Sequence, residues 1–574
     1  MVKQGPSSVL TTTVALIGLQ LASRLLSFSL NQFLLRSVSP SAFGLATIQL
    51  DTLIGTVLFL LREGIRGAVV RTRSPSGPSA RRSRTFSLPT FLSPLALLIY
   101  LLYSHFSTPS PAPSLYGRTI ALYALSTLLE LTYEPLYLLT LEYWEDLTAK
   151  RVKVEGTAIM GKAVATLAVV KWVTEEDALV AFGVGQLAYS GVVFAGLFWI
   201  TRGYTARTAP TTVKKVDQDE EKKRFDPALL SLSWALTKQS VVKQLLTEGD
   251  KLAVGKFGSG EDMGGYAVAL NYGSLIARIL FQPLEESSRL YFSSLALPAP
   301  SPSATSATIA SPSSSSNHPG PSLDTLLSLA IYLRLLLFLH NHLLLIFVLL
   351  APSFTTPLLT FLLGPVWAAA ASPALRAYCL SLPFLGFNGL TEAFFQSLAS
   401  PQWIARGSAW MVICAIGFAS ATGFFVGWLG LGARGLVAAN CVNMALRIGF
   451  STTFIRQFFR EGLDAASEPA KSKERVKSHL ALSAWTPNRS TLMAFALGGW
   501  IVRASESRWV AATAAAKGRG LRALVEHLGL GAVVGVVCLG IVYVTRQSEI
   551  RRLVTAVKDG QGEEDKAIEG KKEK

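Results

Sequence analysis

Residues 325–351 read TLLSLAIYLRLLLFLHNHLLLIFVLLA. An apolar run of this length, wound as a helix, matches the roughly 30 Å hydrocarbon core of a bilayer. Blocks of the same kind recur along the chain, as in LLIYLLY after Pro94. Composition agrees with them: half of the 574 residues are hydrophobic and 16% are charged, against about 25% charged in a soluble domain. Mean hydropathy is +0.39. A soluble globular enzyme is excluded, and an all-α polytopic membrane protein is expected.

Hydropathy places fourteen spans, the first six at about 9–34, 42–62, 88–105, 117–143, 155–174 and 177–201. Six more follow near 230–257, 264–294, 325–351, 373–398, 404–429 and 432–457, then two near 491–510 and 526–545. FTTPLLTFLLGPVW (354–367) is short and interrupted by Pro and Gly, and reads as a continuation or turn after the ninth span. The expected domains are a six-helix bundle over 1–201, a charged loop over 202–229, and a second six-helix bundle over 230–458 containing a Ser/Pro loop at 296–322. A linker over 459–490, two further helices in 491–546 and a basic tail from 547 to 574 complete the chain. SPSGPSARRSR, the Ser/Pro loop and the Lys-rich tail are too poor in apolar residues to bury a core and are expected to be disordered. The first span reads as a signal anchor, with no small-residue cleavage site after it.

The formal charge is +17, but the cations lie between apolar blocks instead of forming one patch, so they report orientation and do not point to nucleic acid. Loops on the face of the N-terminus hold Arg71, Arg73, Arg81, Arg82, Arg84, Lys150, Arg151, Lys214, Lys215, Lys222, Lys223, Arg224, Lys471, Lys473, Arg475 and Lys477. The opposite loops hold few. By the positive-inside rule both termini are cytoplasmic, and the sequon at Asn488 falls in a cytoplasmic loop and stays unmodified. Lys571 and Lys572 resemble a dilysine address for the endoplasmic reticulum, which works only on a cytoplasmic tail.

Polar groups inside spans are costly in lipid, so they mark cavities or helix contacts. Gln20, Arg24, Ser27 and Asn31 share one helix face at spacings of three and four. Gln239, Lys243, Thr247 and Asp250 share another, flanked by Lys238 and Glu248. The eighth span aligns Asn271, Arg278, Gln282, Glu285 and Arg289, with a kink expected at Pro283. Glu130, Glu134 and Tyr137 lie on the fourth span, Asn388, Glu392 and Gln396 on the tenth, and Asn440, Asn443 and Arg447 on the twelfth. These stripes are expected to converge on a central cavity. The bland alternative is ion pairing and hydrogen bonding that hold the helices together. The eleventh span, nearly apolar beyond Arg406, is expected to face lipid.

Motifs of soluble enzymes do not survive inspection. Gly156 to Ala163 resembles a phosphate-binding loop, but Ala163 stands where a magnesium-binding hydroxyl is required and no strand precedes it. The Gly183-Val-Gly185 string lies inside a span, where small residues serve close packing. No catalytic residue, metal site or cofactor is expected, and Cys379, Cys414, Cys441 and Cys538 read as packing residues.

Five strings carry a family resemblance: Lys238-Gln-Ser-Val-Val-Lys-Gln-Leu-Leu-Thr-Glu-Gly-Asp250, Gln282-Pro-Leu-Glu-Glu-Ser287, Arg62-Glu-Gly-Ile-Arg66, Leu382-Pro-Phe-Leu-Gly-Phe-Asn-Gly-Leu-Thr-Glu392 and Gly435-Leu-Val-Ala-Ala-Asn440-Cys-Val-Asn443. The chain resembles the Rft family of endoplasmic-reticulum oligosaccharide-translocation proteins from Arg24 to its last helix, departing in the Ser/Pro insertion after Leu297 and in 458–490.

The resemblance implies the multidrug, oligosaccharidyl-lipid and polysaccharide exporter superfamily, with two six-helix bundles facing a cavity and two added helices. It implies as cargo a dolichol diphosphate oligosaccharide, moved between leaflets of the reticulum membrane, with membrane lipids and glycan-assembly proteins as further partners. A diphosphate needs Arg and Lys donors, for which Arg24, Arg62, Arg66, Lys238, Lys243, Arg278 and Arg289 are the candidates. Glu134, Glu248, Asp250, Glu285 and Glu392 are the cavity carboxylates, and Asn31, Asn271, Tyr378, Asn388, Asn440 and Asn443 the glycan contacts. Two alternatives stand beside this reading. One is an ion-coupled antiporter using Asp51, Glu134 or Glu392, and the other a non-transport factor for glycan assembly.

Overall fold

The computed structural model describes residues 32–72, 84–106, 115–174, 177–208, 225–296, 322–466, 469–515 and 519–572. Arg24, Asn31, the Arg81 stretch and the Ser/Pro loop lie outside the described residues, as does the side chain of Lys243. The described residues are helical, with no strand among them. The chain divides into two compact units, Met1–Ala267 with Leu362–Ala370, and Val268–Phe361 with Ala371–Lys574.

The first unit contains α1 (Pro40–Arg71), α2 (Ser93–Phe106), α3 (Tyr116–Glu142), α4 (Trp144–Val170), α5 (Ala178–Thr208), α6 (Pro227–Phe257) and the start of α7 (260–296). Helix starts follow local chemistry. Ser39 Oγ accepts from the amide of Ala42, Asp226 Oδ1 accepts from those of Ala228 and Leu229, and Pro40 and Pro227 occupy the first helical position, where a missing N–H costs nothing. α4 packs along α5, α1 along α6 and α3 along α5. Where α1 meets α6, a Cβ on Gly64 would come within 2.1 Å of Thr237 Oγ1. That close approach requires glycine inside the Arg62–Arg66 motif. Ile65, Ala68, Val69, Leu138, Leu139 and Leu229 close the apolar seam between α1, α3 and α6.

The second unit holds the rest of α7, α8 (Leu323–Leu363), most of α9 (Pro365–Leu398), α10 (Pro401–Thr422), α11 (Gly432–Ala465), α12 (Ala470–Leu480), α13 (Arg489–Ala515) and α14 (Arg519–Lys572). Its core is an aromatic stack: the Phe394 ring lies 5.0 Å from Phe292, 5.5 Å from Phe458 and 5.7 Å from Phe459. Leu326, Leu333, Phe454 and Val476 seal it, joining α7, α8, α9, α11 and α12. α13 and α14 pack on each other and on α8 through Phe495, Val502, Cys538 and Leu350. Asn488, the sequon residue, accepts the amide of Thr491 at 2.8 Å and so caps α13.

Several boundaries differ from the hydropathy reading. α4 begins at Trp144 and not near 155, so Lys150 and Arg151 stand in a helix and not in a loop, and α14 continues as helix to Lys572, correcting the expectation of a disordered tail after 547. α1 runs to Arg71, beyond the apolar window that ends near 62, because the charged side chains of its last turns find partners on a neighbouring helix. α9 begins at Pro365 and not near 373; Pro373 lies inside it, and the break before it is Gly364, at φ +97°. Thr355–Leu363 continues α8, as expected for the short stretch after the ninth span. Among the described residues five helices are long and apolar enough to cross a membrane: Pro40–Arg71, Ala178–Tyr204, Leu323–Leu363, Gln402–Trp428 and Leu521–Glu549. Within α10, Ile404, Val412, Ile413 and Ile416 are exposed.

Candidate functional site

Each unit holds a charged cluster, and both grow from the stripes visible in the sequence. In the first unit, Arg62 and Arg66 stand one turn apart on α1 and face Glu130 and Glu134, one turn apart on α3. Arg62 Nη1 donates to Glu130 Oε2 at 2.9 Å and lies 3.7 Å from Glu134, while Arg66 binds Glu134 through two bonds of 2.5 and 2.7 Å. The Tyr137 ring covers the Arg66 guanidinium at 3.7 Å. Glu134 is 0% exposed.

The ladder continues on α4 and α5. Glu130 Oε1 also accepts from Ser190 at 3.0 Å and from Gln186 at 3.3 Å. Gln186 Oε1 accepts from Lys162 at 2.8 Å, and Lys162 pairs with Asp51 at 3.2 Å, whose carboxylate accepts the Tyr123 hydroxyl. Asp51, Glu130 and Glu134 therefore balance Lys162, Arg62 and Arg66. Buried charges persist only when so paired.

The second unit builds a similar arrangement on α7, α9 and α11. Arg289 donates to Glu285 Oε1 at 2.8 Å across one turn of α7. On α9, Glu392 accepts from Asn388 at 3.2 Å and from Gln396 at 2.8 Å, and Arg447 of α11 closes on it at 2.5 Å. Glu285 leans onto α9 at Gly389, where a Cβ would stand 3.1 Å from its Oε2. This cluster is half-open, with Arg289 42% and Arg447 27% exposed. It is also incompletely satisfied: among the described residues Arg289 Nε and Asn388 Oδ1 are buried without a partner.

The match to the Rft protein family runs over residues 8–556. The chain belongs to the Rft family. Among its relatives, the Man(5)GlcNAc(2)-PP-dolichol translocation protein RFT1 of Candida albicans is 32% identical over 484 residues, covering 80% of this chain and 82% of that protein. The protein of the same name from Mus musculus is 28% identical over 561 residues, 94% of each chain. In fold the chain is similar to the lipid II flippase MurJ in an inward closed conformation, with a TM-score of 0.52 at 13% identity over 91% of this chain and 97% of that one.

In this Rft-family chain the structure joins Arg62, Arg66 and Glu134 in one cluster, and Arg289, Glu285, Glu392 and Asn388 in another. Other expected site residues stand apart. Arg278 is exposed and bonded to the Oγ and carbonyl of Ser274 on its own helix, and Asn271 is exposed two turns before Arg278. Lys238 is exposed, 6.0 Å from the Trp234 ring centre. Glu248 pairs with Lys251 at 2.7 Å, and Asp250 accepts the Tyr266 hydroxyl at 2.7 Å. Tyr378 packs over Gly273, whose missing Cβ would fall 2.2 Å from its ring, and Asn443 donates to Asn440 at 3.4 Å. Lys162 and Gln186 are the members sequence reasoning passed over. The available signal was a lone lysine inside an apolar helix, obscured by its place in a false phosphate-loop string.

Proposed function

We propose that the chain translocates a dolichol-diphosphate-linked oligosaccharide from the cytoplasmic to the lumenal leaflet of the endoplasmic reticulum. The observation that carries this reading is the similarity, along most of both chains, to relatives named for moving that lipid. No catalytic chemistry is needed: flipping breaks no bond, and the protein has only to exchange the headgroup's hydration for its own donors.

The second-unit cluster suits that exchange. A diphosphate oxygen at the free Nε of Arg289 and a sugar hydroxyl at Asn388 Oδ1 would complete two buried groups left unsatisfied. Arg62, Arg66, Lys238, Arg278 and Arg447 are the further cations assigned to the path, with Arg24 and Lys243. The carboxylates paired with Arg62, Arg66, Arg289 and Arg447 would be displaced turn by turn as the phosphates pass. The finer architecture belongs to the same proposal: fourteen crossings, two six-helix bundles over 1–201 and 230–458, two added helices, and both termini in the cytoplasm.

In the antiporter reading, Asp51, Glu134 or Glu392 would be a proton or sodium site, yet each already holds a protein cation at 3.2 Å or less. Purified protein in liposomes, given fluorescent lipid-linked oligosaccharide, tests the proposal. Protein-dependent transfer of label to the inner leaflet supports it, and transfer equal to empty liposomes refutes it.

A further inference from the structure

We propose that the second unit carries a binding pocket for an anionic phospholipid, walled by α8, α9, α11 and α12. The inference is independent of translocation. The pocket has a volume of about 910 Å³ and is lined by Leu337, Phe387, Ile455, Phe459, Leu480 and Trp485 among others. That is at the upper end of the roughly 300–1,000 Å³ of ligand sites and far larger than the voids a packed interior leaves.

The wall selects the ligand's depth. On α11 the residues facing the pocket, Ile448, Thr452, Ile455, Phe459 and Leu463, recur at spacings of three and four and form one stripe. On α9, Phe384, Phe387 and Thr391 do the same, on the face beside the one that carries Asn388 and Glu392. Thr391 spends its hydroxyl proton on the carbonyl of Phe387. A sugar or peptide would leave its polar groups unmet along such a wall, whereas a hydrocarbon chain would not.

The rim selects the headgroup. Arg456 and Arg460, one turn apart on α11, and Lys477 of α12 line the pocket against one acid, Asp464. Arg456 and Lys477 form no ion pair among the described residues, and the Arg460–Asp464 contact is long, 3.9 Å, and exposed. Arg334, the remaining lining cation, is already held by Glu549. The open rim therefore carries a surplus of two positive charges. A phosphate bridging Arg456, Arg460 and Lys477 would use them with charge-assisted bonds. α12 also bears Lys471, Lys473 and Arg475, while Val476 and Leu480 anchor it to the core, so it presents a basic face where the apolar helices end. Basic segments in that position attract anionic lipid.

The test uses the full chain in non-ionic detergent, with palmitoyl-oleoyl phosphatidylserine as probe and phosphatidylcholine of the same chains as comparison, read by native mass spectrometry. A one-to-one phosphatidylserine adduct at least tenfold tighter than phosphatidylcholine is expected. Arg456→Glu with Arg460→Glu should weaken it at least tenfold, as should Thr452→Trp, which fills the pocket and spares the rim. Arg522→Glu, exposed on α14 and not part of the pocket lining, should keep it. Glycerophosphoserine, the headgroup without chains, should not compete; equal competition would overturn the lipid and leave a simple phosphate site. Equal binding of the two phospholipids, or an adduct indifferent to both pocket variants, would also overturn the proposal. In the unmodified protein, phosphatidylserine with a diazirine in its acyl chain should label peptides around Phe459 and Leu480. Labelling confined to α10 and α14 contradicts the pocket even if a variant fails to fold.

Discussion

Removing Arg66 should destabilise the protein more than removing Arg62, although the two sit one turn apart on the same helix face. Arg66→Met strips Glu134, 0% exposed, of both its short bonds and leaves it only Arg62 at 3.7 Å. Breaking a buried pair by losing one partner costs about 3–5 kcal/mol. Arg62→Met instead leaves Glu130 with Ser190 and Gln186, and Glu134 with Arg66. That loss is nearer one charge-assisted bond, about 1.5–3 kcal/mol. In a unit of this size each kcal/mol moves the melting temperature by roughly 2 °C. Arg66→Met should therefore lower Tm by about 6–10 °C in detergent, and Arg62→Met by about 3–6 °C. The double variant Arg66→Met with Glu134→Met leaves the Arg62–Glu130 pair intact, and should recover a coupling of about 2 kcal/mol or more against the sum of the single changes. Equal losses at Arg62 and Arg66, or an additive double variant, would refute the ladder. The double variant also separates structure from function. If Arg66 meets the diphosphate, cells that depend on this chain for N-glycosylation stay defective with protein at normal level; full rescue assigns the pair to packing alone.

Arg278→Glu should abolish complementation at unchanged expression, because Arg278 is exposed and, among the described residues, bonded only to Ser274 on its own helix, which leaves its charge available to a phosphate. Glu285→Lys should damage glycosylation more than Glu286→Lys, since Glu285 holds Arg289 and touches α9, whereas Glu286 is exposed and, among the described residues, accepts only from Gln282; the reverse order would show that the helix phase is misassigned. His479 should make the docking of α12 acid-sensitive. Arg334 Nη1 lies 3.1 Å from His479 Nδ1, and since arginine only donates, Nδ1 accepts and the ring is neutral. Burial first, then Arg334 and Arg475, holds its pKa below the ordinary 6.5. A depressed histidine contributes stability that is lost as pH falls below 6.5, where the unfolded chain takes up a proton the folded one resists. Tm should drop with acidification in the unmodified protein and less in His479→Gln, measured by differential scanning fluorimetry.

The helical class and the polar stripes were legible because both rest on local rules: apolar length for a span, and 100° per residue for a face. The pairing of Glu285 with Arg289 is likewise a one-turn relation and can be read from spacing. What spacing does not carry is the partner on another helix. Arg62 and Arg66 look like free cations until α3 is placed beside α1, since the matching one-turn step of Glu130 and Glu134 lies 68 residues away in the chain. Lys162 was hidden for the same reason. Its partners Asp51 and Gln186 lie on two other helices, and the only pattern around it in sequence was a misleading one. Gly364 and Pro365 moved a helix boundary because Pro373 and Pro383 are tolerated inside a helix whose neighbours pack against it.

The contrast between the two clusters follows from how completely each is satisfied. In the first, every carboxylate is paired with a cation, and Glu130 is 3% and Glu134 0% exposed, so a ligand entering there must break buried pairs before it forms its own. In the second, Arg289 and Arg447 are partly open and two buried polar atoms have no partner among the described residues, so a phosphate or sugar that reaches those atoms after a side-chain shift gains bonds there without breaking existing ones. Exchange costs least where the protein has left hydrogen-bonding capacity unspent. If the proposed translocation holds, the Arg289–Glu392–Arg447 cluster is therefore the one that would meet a headgroup at least cost, and the Arg62–Glu134 ladder the one that would resist it.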